Sequence, residues 1–360
     1  MLWLLLFAPL ALILEHAGAP APAIFFCAAI AIVPIAALIV QATESISVVT
    51  GPAIGGLLNA TFGNLPELII AIVALRAGMV EMVRASIVGA LLANLLLGLG
   101  LSFLLGGARF HVQDYNPLAA RTYASMMFLA VISMAIPSAF RRFFGAESGF
   151  LHFEVLDTSV AVVLLMTYGL YLWYQLRTHK ESFAEDKGDS GAAHGGNGGH
   201  GPHWSPARAG ATLLGASAGA AWLSEILVGA AEATGYSLGM SPTFIGLILL
   251  ASVGGAAEIG SAIAMGRKNK MDLSIGIALG SCIQIALFVA PVLVFLSRAI
   301  GPQPFTLSFT RGEMGFLFIS VLLGALVASD GRSNWFKGVQ LLAVYVMLAA
   351  VCYLVPVMAQ

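Results

Sequence analysis

The chain has 360 residues, a formal net charge of −1, and a composition that is 59% hydrophobic and only 10% charged. Soluble domains carry about 25% charged residues, so this composition excludes a water-exposed globular protein and indicates lipid as the solvent. The near-neutral charge also argues against a nucleic-acid partner.

Eleven apolar segments follow one another, each with roughly the 20 residues that a helix needs to cross a bilayer. They cover residues 1–18, 22–43, 50–75, 80–106, 120–140, 155–177, 207–231, 240–265, 272–299, 312–330 and 335–357. Backbone amides in lipid have no water to bond, so each segment is predicted to be helical. The predicted fold class is an all-α polytopic membrane protein of about 11 transmembrane helices. The first of them, within residues 1–21, is an extra N-terminal span.

One polar segment, residues 178–206, interrupts this pattern after the sixth predicted span. It is rich in glycine and histidine, a composition typical of flexible linkers, and we interpret it as a solvated cytosolic tether. Transition-metal binding or pH sensing by its histidines is the alternative interpretation. These histidines are His179, His194, His200 and His203.

The two halves of the chain repeat one another. Residues 61–83 align without gaps to residues 252–274, and this alignment pairs Glu67 with Glu258 and Gly63 with Gly254. Matching acidic, basic and glycine positions are not expected by chance in apolar helices, so we infer an internal repeat.

Five predicted spans fall in each repeat, in residues 22–177 and 207–360. Because five is odd, the second repeat enters the membrane from the opposite side, and the plan is a 5+5 inverted-topology repeat. Eleven lysines and arginines fall in the loops on the N-terminal side and six in the loops on the other side. This bias predicts a cytosolic N-terminus and linker and an external C-terminus. The compact N-terminus favours a prokaryotic cell (inner) membrane over a vacuolar-type one.

The chemistry is predicted at Glu67 and Glu258, which lie in the middle of apolar segments. An ionised carboxylate at the centre of a membrane helix costs at least about 2.5 kcal/mol, so it has to be neutralised by a proton or a cation. A site that accepts either one at a time has the central property of an antiporter. Two carboxylates that together bind one divalent cation take up two protons when it leaves, because their repulsion raises their proton affinity.

Other polar residues in apolar segments are predicted to assist. Asn94, Ser281 and Gln284 are candidates for binding the ion or orienting the carboxylates, with helix–helix hydrogen bonding as the alternative. Glu44 and Glu225 each precede a motif and are candidates for a proton relay or cation path, with an interfacial position as the alternative.

The residues around Glu67 favour a hard cation. Pro66 has no amide proton and Gly63 loosens the turn, so a helix break is predicted in GNLPE, where freed carbonyls would add oxygen ligands. Calcium takes six to eight oxygen ligands, and no cysteine or histidine lies nearby to favour a softer metal.

The segment GGLLNATFGNLPELIIAIVALRAG resembles the calcium/proton exchanger family of the cation/calcium exchanger superfamily, and stretches of the sixth and eleventh spans resemble it too. The resemblance implies exchange of cytosolic calcium for protons on an eleven-span fold with a 5+5 inverted repeat. It implies that Glu67 and Glu258 bind the ion and the protons, with Asn64, Asn94 and Gln284 beside them.

The second motif departs from the family pattern GNAAEH, because Gly255 replaces the asparagine and Ile259 the histidine. Exchange of sodium, potassium or manganese for protons is therefore the alternative on the same fold, and a cation channel is the alternative from another class. No metalloprotease motif or nucleophile elbow occurs, so neither an enzyme nor a cofactor is predicted. The expected partners are the lipid bilayer and, as substrates, calcium ions and protons.

Overall fold

The computed structural model describes residues 2–144, 150–179 and 204–354, and nearly all of them are helical. Most of the predicted linker, with His194, His200 and His203, lies outside the described residues. His179 is described, and its ring stacks on Tyr174 at 4.1 Å between centroids.

The first half begins with a 3₁₀ turn, Leu2–Leu6, and contains seven α-helices, two π-helical segments and one short strand. In chain order they are α1 Phe7–His16, α2 Ala21–Phe62, α3 Leu65–Arg76, α4 Val80–Leu92, the π segment Ala93–Gly98, α5 Leu99–Phe110, β1 Val112–Asp114, α6 Pro117–Phe144, α7 Phe150–Trp173 and the π segment Tyr174–Thr178.

The second half follows the same plan. Its elements are α8 Pro206–Leu238, α9 Pro242–Phe244, the π segment Ile245–Leu250, α10 Ala251–Gly254, α11 Ala256–Arg267, α12 Met271–Gln284, the π segment Ile285–Val289, α13 Ala290–Ile300, α14 Arg311–Ala328, β2 Arg332–Asn334 and α15 Trp335–Leu354.

Eight helices among the described residues are long and apolar enough to cross a membrane, and a ninth span is formed if the pair bent by 58° at Gly255 is counted as one. The prediction of an all-α polytopic membrane protein is confirmed.

Helical secondary structure extends through α2 to Phe62, but its membrane span ends at Thr50. The Ser47 hydroxyl donates to the carbonyl of Gly55 at 2.9 Å, whereas residues eight apart on a straight helix are separated by about 12 Å, so the chain bends back between them. The predicted separation of spans 22–43 and 50–75 therefore stays a prediction. The predicted break in GNLPE is present at Gly63 and Asn64.

The sequence repeat recurs in the bounds of the helices. Leu65–Arg76 and Ala256–Arg267 are both 12 residues long, and each begins at the position that the alignment predicts. The next helix in each half also begins at matching residues, Val80 and Met271. The turns between them both contain a left-handed residue, Gly78 in one and Asn269 in the other.

Two residues that the repeat makes equivalent also touch one another. Cys282 donates its thiol to the carbonyl of Leu91 at 3.5 Å, and the two are 191 residues apart, the offset of the repeat. A residue that contacts its own equivalent lies near a two-fold axis, since only such an axis brings identical positions together.

The helices cluster into two compact units, and each draws on both halves of the chain. The first unit consists of the described residues of Met1–Ala90, Gly198–Ala257 and Val346–Gln360. In its core α2 packs along α8, and Phe25, Ile32 and Ile39 of α2 are fully buried.

The second unit consists of the described residues of Leu91–Asn197 and Glu258–Tyr345. At one end, β1 pairs with β2 in antiparallel register. Three loops meet there, because Gln113 donates to the carbonyl of Gly266 at 2.9 Å and Arg332 pairs with Asp114 at 3.1 Å. All three loops were predicted to lie on the cytosolic side.

Two loops predicted to be external also share contacts within the second unit. Arg141 of α6 pairs with the buried Asp157 of α7 at 3.1 Å. Arg298 of α13 pairs with Glu154 at 3.5 Å. Both arginines lie in the last turns of their helices, and their side chains are 31% and 34% exposed.

Candidate functional site

In the first unit, Asn64 and Glu67 stand at the start of α3. Asn64 is the N-cap residue and Glu67 is the third residue of the helix. Asn64 is 1% exposed, and its amide nitrogen and oxygen and both carboxylate oxygens of Glu67 are buried. None of these four atoms has a hydrogen-bond partner among the described residues.

The same spacing is used differently elsewhere in the chain. At the start of α14, Thr310 and Glu313 form a capping box in which each side chain bonds the other residue's backbone amide. Asn64 and Glu67 have the spacing for that arrangement, yet the Asn64 side chain makes no cap bond. Leaving buried polar groups without partners costs about 1–3 kcal/mol each, so such groups signal a missing ligand.

Gly254 lies close to Glu67 and belongs to the same unit. A β-carbon built on Gly254 would stand 3.0 Å from Cγ of Glu67. The glycine therefore leaves room for the carboxylate. It is also the last residue of α10, directly before the bend at Gly255.

Glu44 and Glu225, the predicted relay or path residues, also fall in the first unit. Glu44 lies on α2 and is partly buried, whereas Glu225 lies on α8 and is exposed. The two helices that carry them pack against one another. Their role in a proton relay or a cation path stays a prediction.

In the second unit, the remaining predicted site residues are all buried. Glu258 is 7% exposed, Asn94 1%, and Ser281 and Gln284 are 8% exposed each. Both polar atoms of the Asn94 side chain lack a partner among the described residues.

The elements that carry these residues contact one another within the second unit. The π segment Ala93–Gly98, which contains Asn94, packs on α12, which ends with Ser281 and Gln284. The same segment reaches α11 next to Glu258, where a β-carbon built on Gly98 would stand 3.8 Å from Cα of Ile259.

Three π-helical segments flank predicted site residues. Ala93–Gly98 contains Asn94, Ile245–Leu250 precedes the second motif, and Ile285–Val289 begins directly after Gln284. Single-turn π segments inside α-helices are rare and occur frequently at functional sites, because they leave backbone groups free to bond elsewhere.

No group of three or more histidine, cysteine, aspartate or glutamate side chains among the described residues is arranged to hold a metal ion. A cation bound at these glutamates would therefore also take amide, hydroxyl, carbonyl or water oxygens, a donor set that suits a hard ion. The amides of Asn64 and Asn94 are of this type.

The sequence analysis did not single out Ser102, which is buried on α5 and donates a hydrogen bond to the carbonyl of Ala262 on α11 at 3.0 Å. The signal that would have found it is the spacing of Gly98, Ser102 and Gly106. Small residues four apart let membrane helices approach closely.

Comparison with known proteins identifies the family. The model of the sodium/calcium exchanger protein family matches residues 20–177 and 209–354. A Ca²⁺/H⁺ antiporter of Aphanothece halophytica is 40% identical over 368 residues, which cover 99% of this chain and 97% of the relative. The Ca²⁺/H⁺ antiporter ChaA of Bacillus subtilis is 39% identical, with 92% of each chain covered.

Solved structures agree with this assignment. The structure of native YfkE has a TM-score of 0.83 and 35% sequence identity, with 99% of this chain and 100% of that chain covered. The H⁺/Ca²⁺ exchanger CAX shares the fold at a TM-score of 0.70 and 14% identity, with 98% and 91% covered. The chain therefore belongs to the sodium/calcium exchanger protein family and, within it, to the calcium/proton exchangers.

Proposed function

We propose that this protein is a secondary active antiporter that exchanges Ca²⁺ for protons across the membrane. The observation that carries the proposal is the set of four unpartnered polar atoms on Asn64 and Glu67, described above. Buried oxygens without an internal partner are suited to an ion that arrives from outside. The relatives named Ca²⁺/H⁺ antiporter support calcium as that ion.

Glu67 exchanges a proton for the cation. A buried carboxylate is stable when it is protonated or when it binds a cation, and both occupants neutralise the same charge. Binding of one therefore expels the other. Asn64 contributes an amide oxygen, which needs no change in protonation.

Glu258 performs the same exchange in the second motif. The repeat makes it the equivalent of Glu67, and it is buried in the second unit together with Asn94, Ser281 and Gln284. That both glutamates serve one ion, and so exchange two protons for each Ca²⁺, is the prediction of the repeat and of charge balance.

The proposed topology is a 5+5 inverted repeat with an extra N-terminal span and with the N-terminus and linker in the cytosol. Three observations support it. The helices of the two halves have matching bounds, Cys282 contacts its repeat equivalent Leu91, and the loops predicted to be cytosolic meet around β1 and β2. The proposed location is the prokaryotic cell (inner) membrane.

Calcium uptake into everted membrane vesicles under an imposed pH gradient tests the function. We expect uptake by the wild type and none by Glu67→Gln or Glu258→Gln, because an amide has nearly the shape of the carboxylic acid but cannot ionise. Glu81→Gln is the matched control, since Glu81 is 78% exposed at the start of α4 and should transport normally.

Three results would overturn parts of the proposal. Wild-type vesicles that take up Na⁺, K⁺ or Mn²⁺ but not Ca²⁺ would change the ion and leave the exchange intact. Single-channel currents, or Ca²⁺ flux that does not depend on the proton gradient, would exclude an antiporter. Persistent uptake by either glutamine variant would remove that glutamate from the site.

A further inference from the structure

Helix α5 packs against α11 along a line of small residues within the second unit. Gly98, Ser102 and Gly106 are spaced four apart, at the end of the π segment and along α5. Opposite them on α11 lie Ile259 and Gly266, and a β-carbon on Gly106 would stand 2.8 Å from the carbonyl oxygen of Gly266. Even a methyl group at Gly106 would therefore collide with α11 at this distance.

Ser102 adds a directed bond to this contact. Its hydroxyl donates to the carbonyl of Ala262 at 3.0 Å and also bonds the hydroxyl of Ser274 on α12. A carbonyl only accepts, so the single Ser102 proton goes to Ala262 and Ser274 is the donor in the second bond. All three residues are fully buried.

A second bond fixes the other end of α11. The side chain of Gln113 on β1 is 2% exposed, and it donates to the carbonyl of Gly266 and to the Asn269 side chain, both at 2.9 Å. The last carbonyls of a helix have no intrahelical partner, so Gln113 caps α11 from another element.

The repeat has no hydroxyl groups at the positions equivalent to Ser102 and Ser274. The alignment pairs Ser102 with Leu293, Ser274 with Val83 and Ala262 with Ala71. The hydroxyl network is therefore specific to the helix that carries Glu258, one turn before Ala262.

We propose that Ser102, oriented by Ser274, is a positioning residue that sets the place of Glu258 by fixing α11 against α5. This role rests on the proposed exchange at Glu258. It accounts for the two fully buried hydroxyls that form hydrogen bonds across the contact of α5, α11 and α12. Because Gly98 touches α11 beside Glu258 and follows Asn94 in the same π segment, the same contact also fixes the helix segment of Asn94 to that of Glu258.

Transport by purified protein in proteoliposomes tests the role. The variants are Ser102→Ala, Ser274→Ala and, as matched control, Ser320→Ala. Ser320 is also fully buried in the second unit, but among the described residues its hydroxyl bonds only the carbonyl of Phe316 in its own helix. The readouts are the Ca²⁺ concentration that half-saturates uptake and the maximal rate, both under a fixed pH gradient.

We expect Ser102→Ala to raise the half-saturating Ca²⁺ concentration about fivefold, the value for the one hydrogen bond that it loses to α11, and Ser274→Ala, which keeps that bond, to raise it less. Ser320→Ala should match the wild type. A purely structural role would lower the amount of active protein, and so the maximal rate, without changing half-saturation.

Half-saturation that is unchanged in Ser102→Ala would overturn the positioning role while leaving the exchange intact. Wild-type protein that does not exchange Ca²⁺ for protons would overturn both. If Ser102→Ala does not fold, the test rests on Ser274→Ala. This variant keeps the hydrogen bond from Ser102 to Ala262 and removes only the Ser274 hydroxyl that donates to Ser102. Equality of Ser274→Ala with Ser320→Ala would then refute the proposal.

Discussion

Gly254 lies directly against the side chain of Glu67, so that a β-carbon at Gly254 would stand 3.0 Å from Cγ and 3.7 Å from Oε1 of the carboxylate. The first distance is shorter than ordinary van der Waals contact, and the flexible glutamate is the partner that has to move. Gly254 belongs to the second motif. Because it has no side chain, it leaves the space that the Glu67 carboxylate of the first motif occupies.

Gly254→Ala is expected to displace the Glu67 carboxylate by a few tenths of an ångström and to weaken Ca²⁺ binding about three- to tenfold, because small misplacements at a site have large effects. Calcium binding to the purified protein, measured by calorimetry, checks this. Gly260→Ala is the control, since a β-carbon at Gly260 meets no atom within 4 Å. Equal affinities of the two variants would show that the contact has no role in binding.

Asn64→Ala is expected to lower the affinity for calcium without lowering the stability of the fold. The Asn64 amide makes no hydrogen bond within the described part of the chain, so its removal should leave the free energy of unfolding unchanged or raise it by about 1 kcal/mol. Calcium affinity should fall, because an oxygen ligand is lost. Denaturant unfolding in detergent and Ca²⁺ binding measure the two quantities.

Asn334→Ala is the contrasting variant. The Asn334 side chain accepts a hydrogen bond from the Lys337 amide at 3.0 Å and so caps α15. Its loss should cost about 1 kcal/mol of stability and leave Ca²⁺ affinity unchanged. If Asn64→Ala were destabilised as much as Asn334→Ala, the Asn64 side chain would have a structural role.

Calcium is expected to stabilise the folded protein in a pH-dependent way. A ligand at 100 times its dissociation constant adds about 2.7 kcal/mol, and protons that compete for Glu67 and Glu258 reduce this. The rise in the melting temperature on adding CaCl₂ should therefore be larger at pH 8 than at pH 6. It should vanish in Glu67→Gln, and a rise that survives there would indicate binding elsewhere.

The loop between α14 and β2 is expected to respond to acid. Burial tends to raise the pKa of Asp330, but hydrogen bonds from Lys337 and the Arg332 amide, together with the charge of Lys337, outweigh burial and hold the pKa below its ordinary value of 3.8. An acid with a lowered pKa stabilises the fold above that ordinary value and loses this contribution as the pH falls through the folded-state pKa.

Lys337→Met tests this loop. Lys337 also donates to the carbonyl of Val327 near the end of α14, so its loss should cost about 1 kcal/mol of unfolding free energy at pH 6. The difference from the wild type should shrink as the pH falls below about 3.8 and through the lowered folded-state pKa of Asp330, because the protonated acid no longer pairs with Lys337. Lys268→Met, at an exposed position, should unfold like the wild type throughout. A constant difference across this pH range would exclude Asp330 as the titrating partner.

The sequence pattern was sufficient to predict the features that depend on only one or two helical turns. The break at Gly63 and Asn64 follows from GNLPE, and the matched helices around Glu67 and Glu258 follow from the repeat. The contact of Ser47 with Gly55, where α2 bends back, was not predicted, because hydropathy gives no signal for the direction in which a helix continues.

By itself, the sequence determined that the chain lies in lipid, that it consists of helices, and which two acids its halves share, because each of these depends on solvent and local periodicity. The tertiary structure decided that Asn64 and Glu67 leave their capping positions unused, that Gly254 borders the Glu67 side chain, and that Ser102 holds α11. The last two facts depend on close approach between helices distant in the chain, because residues 160 or more positions apart meet only through packing.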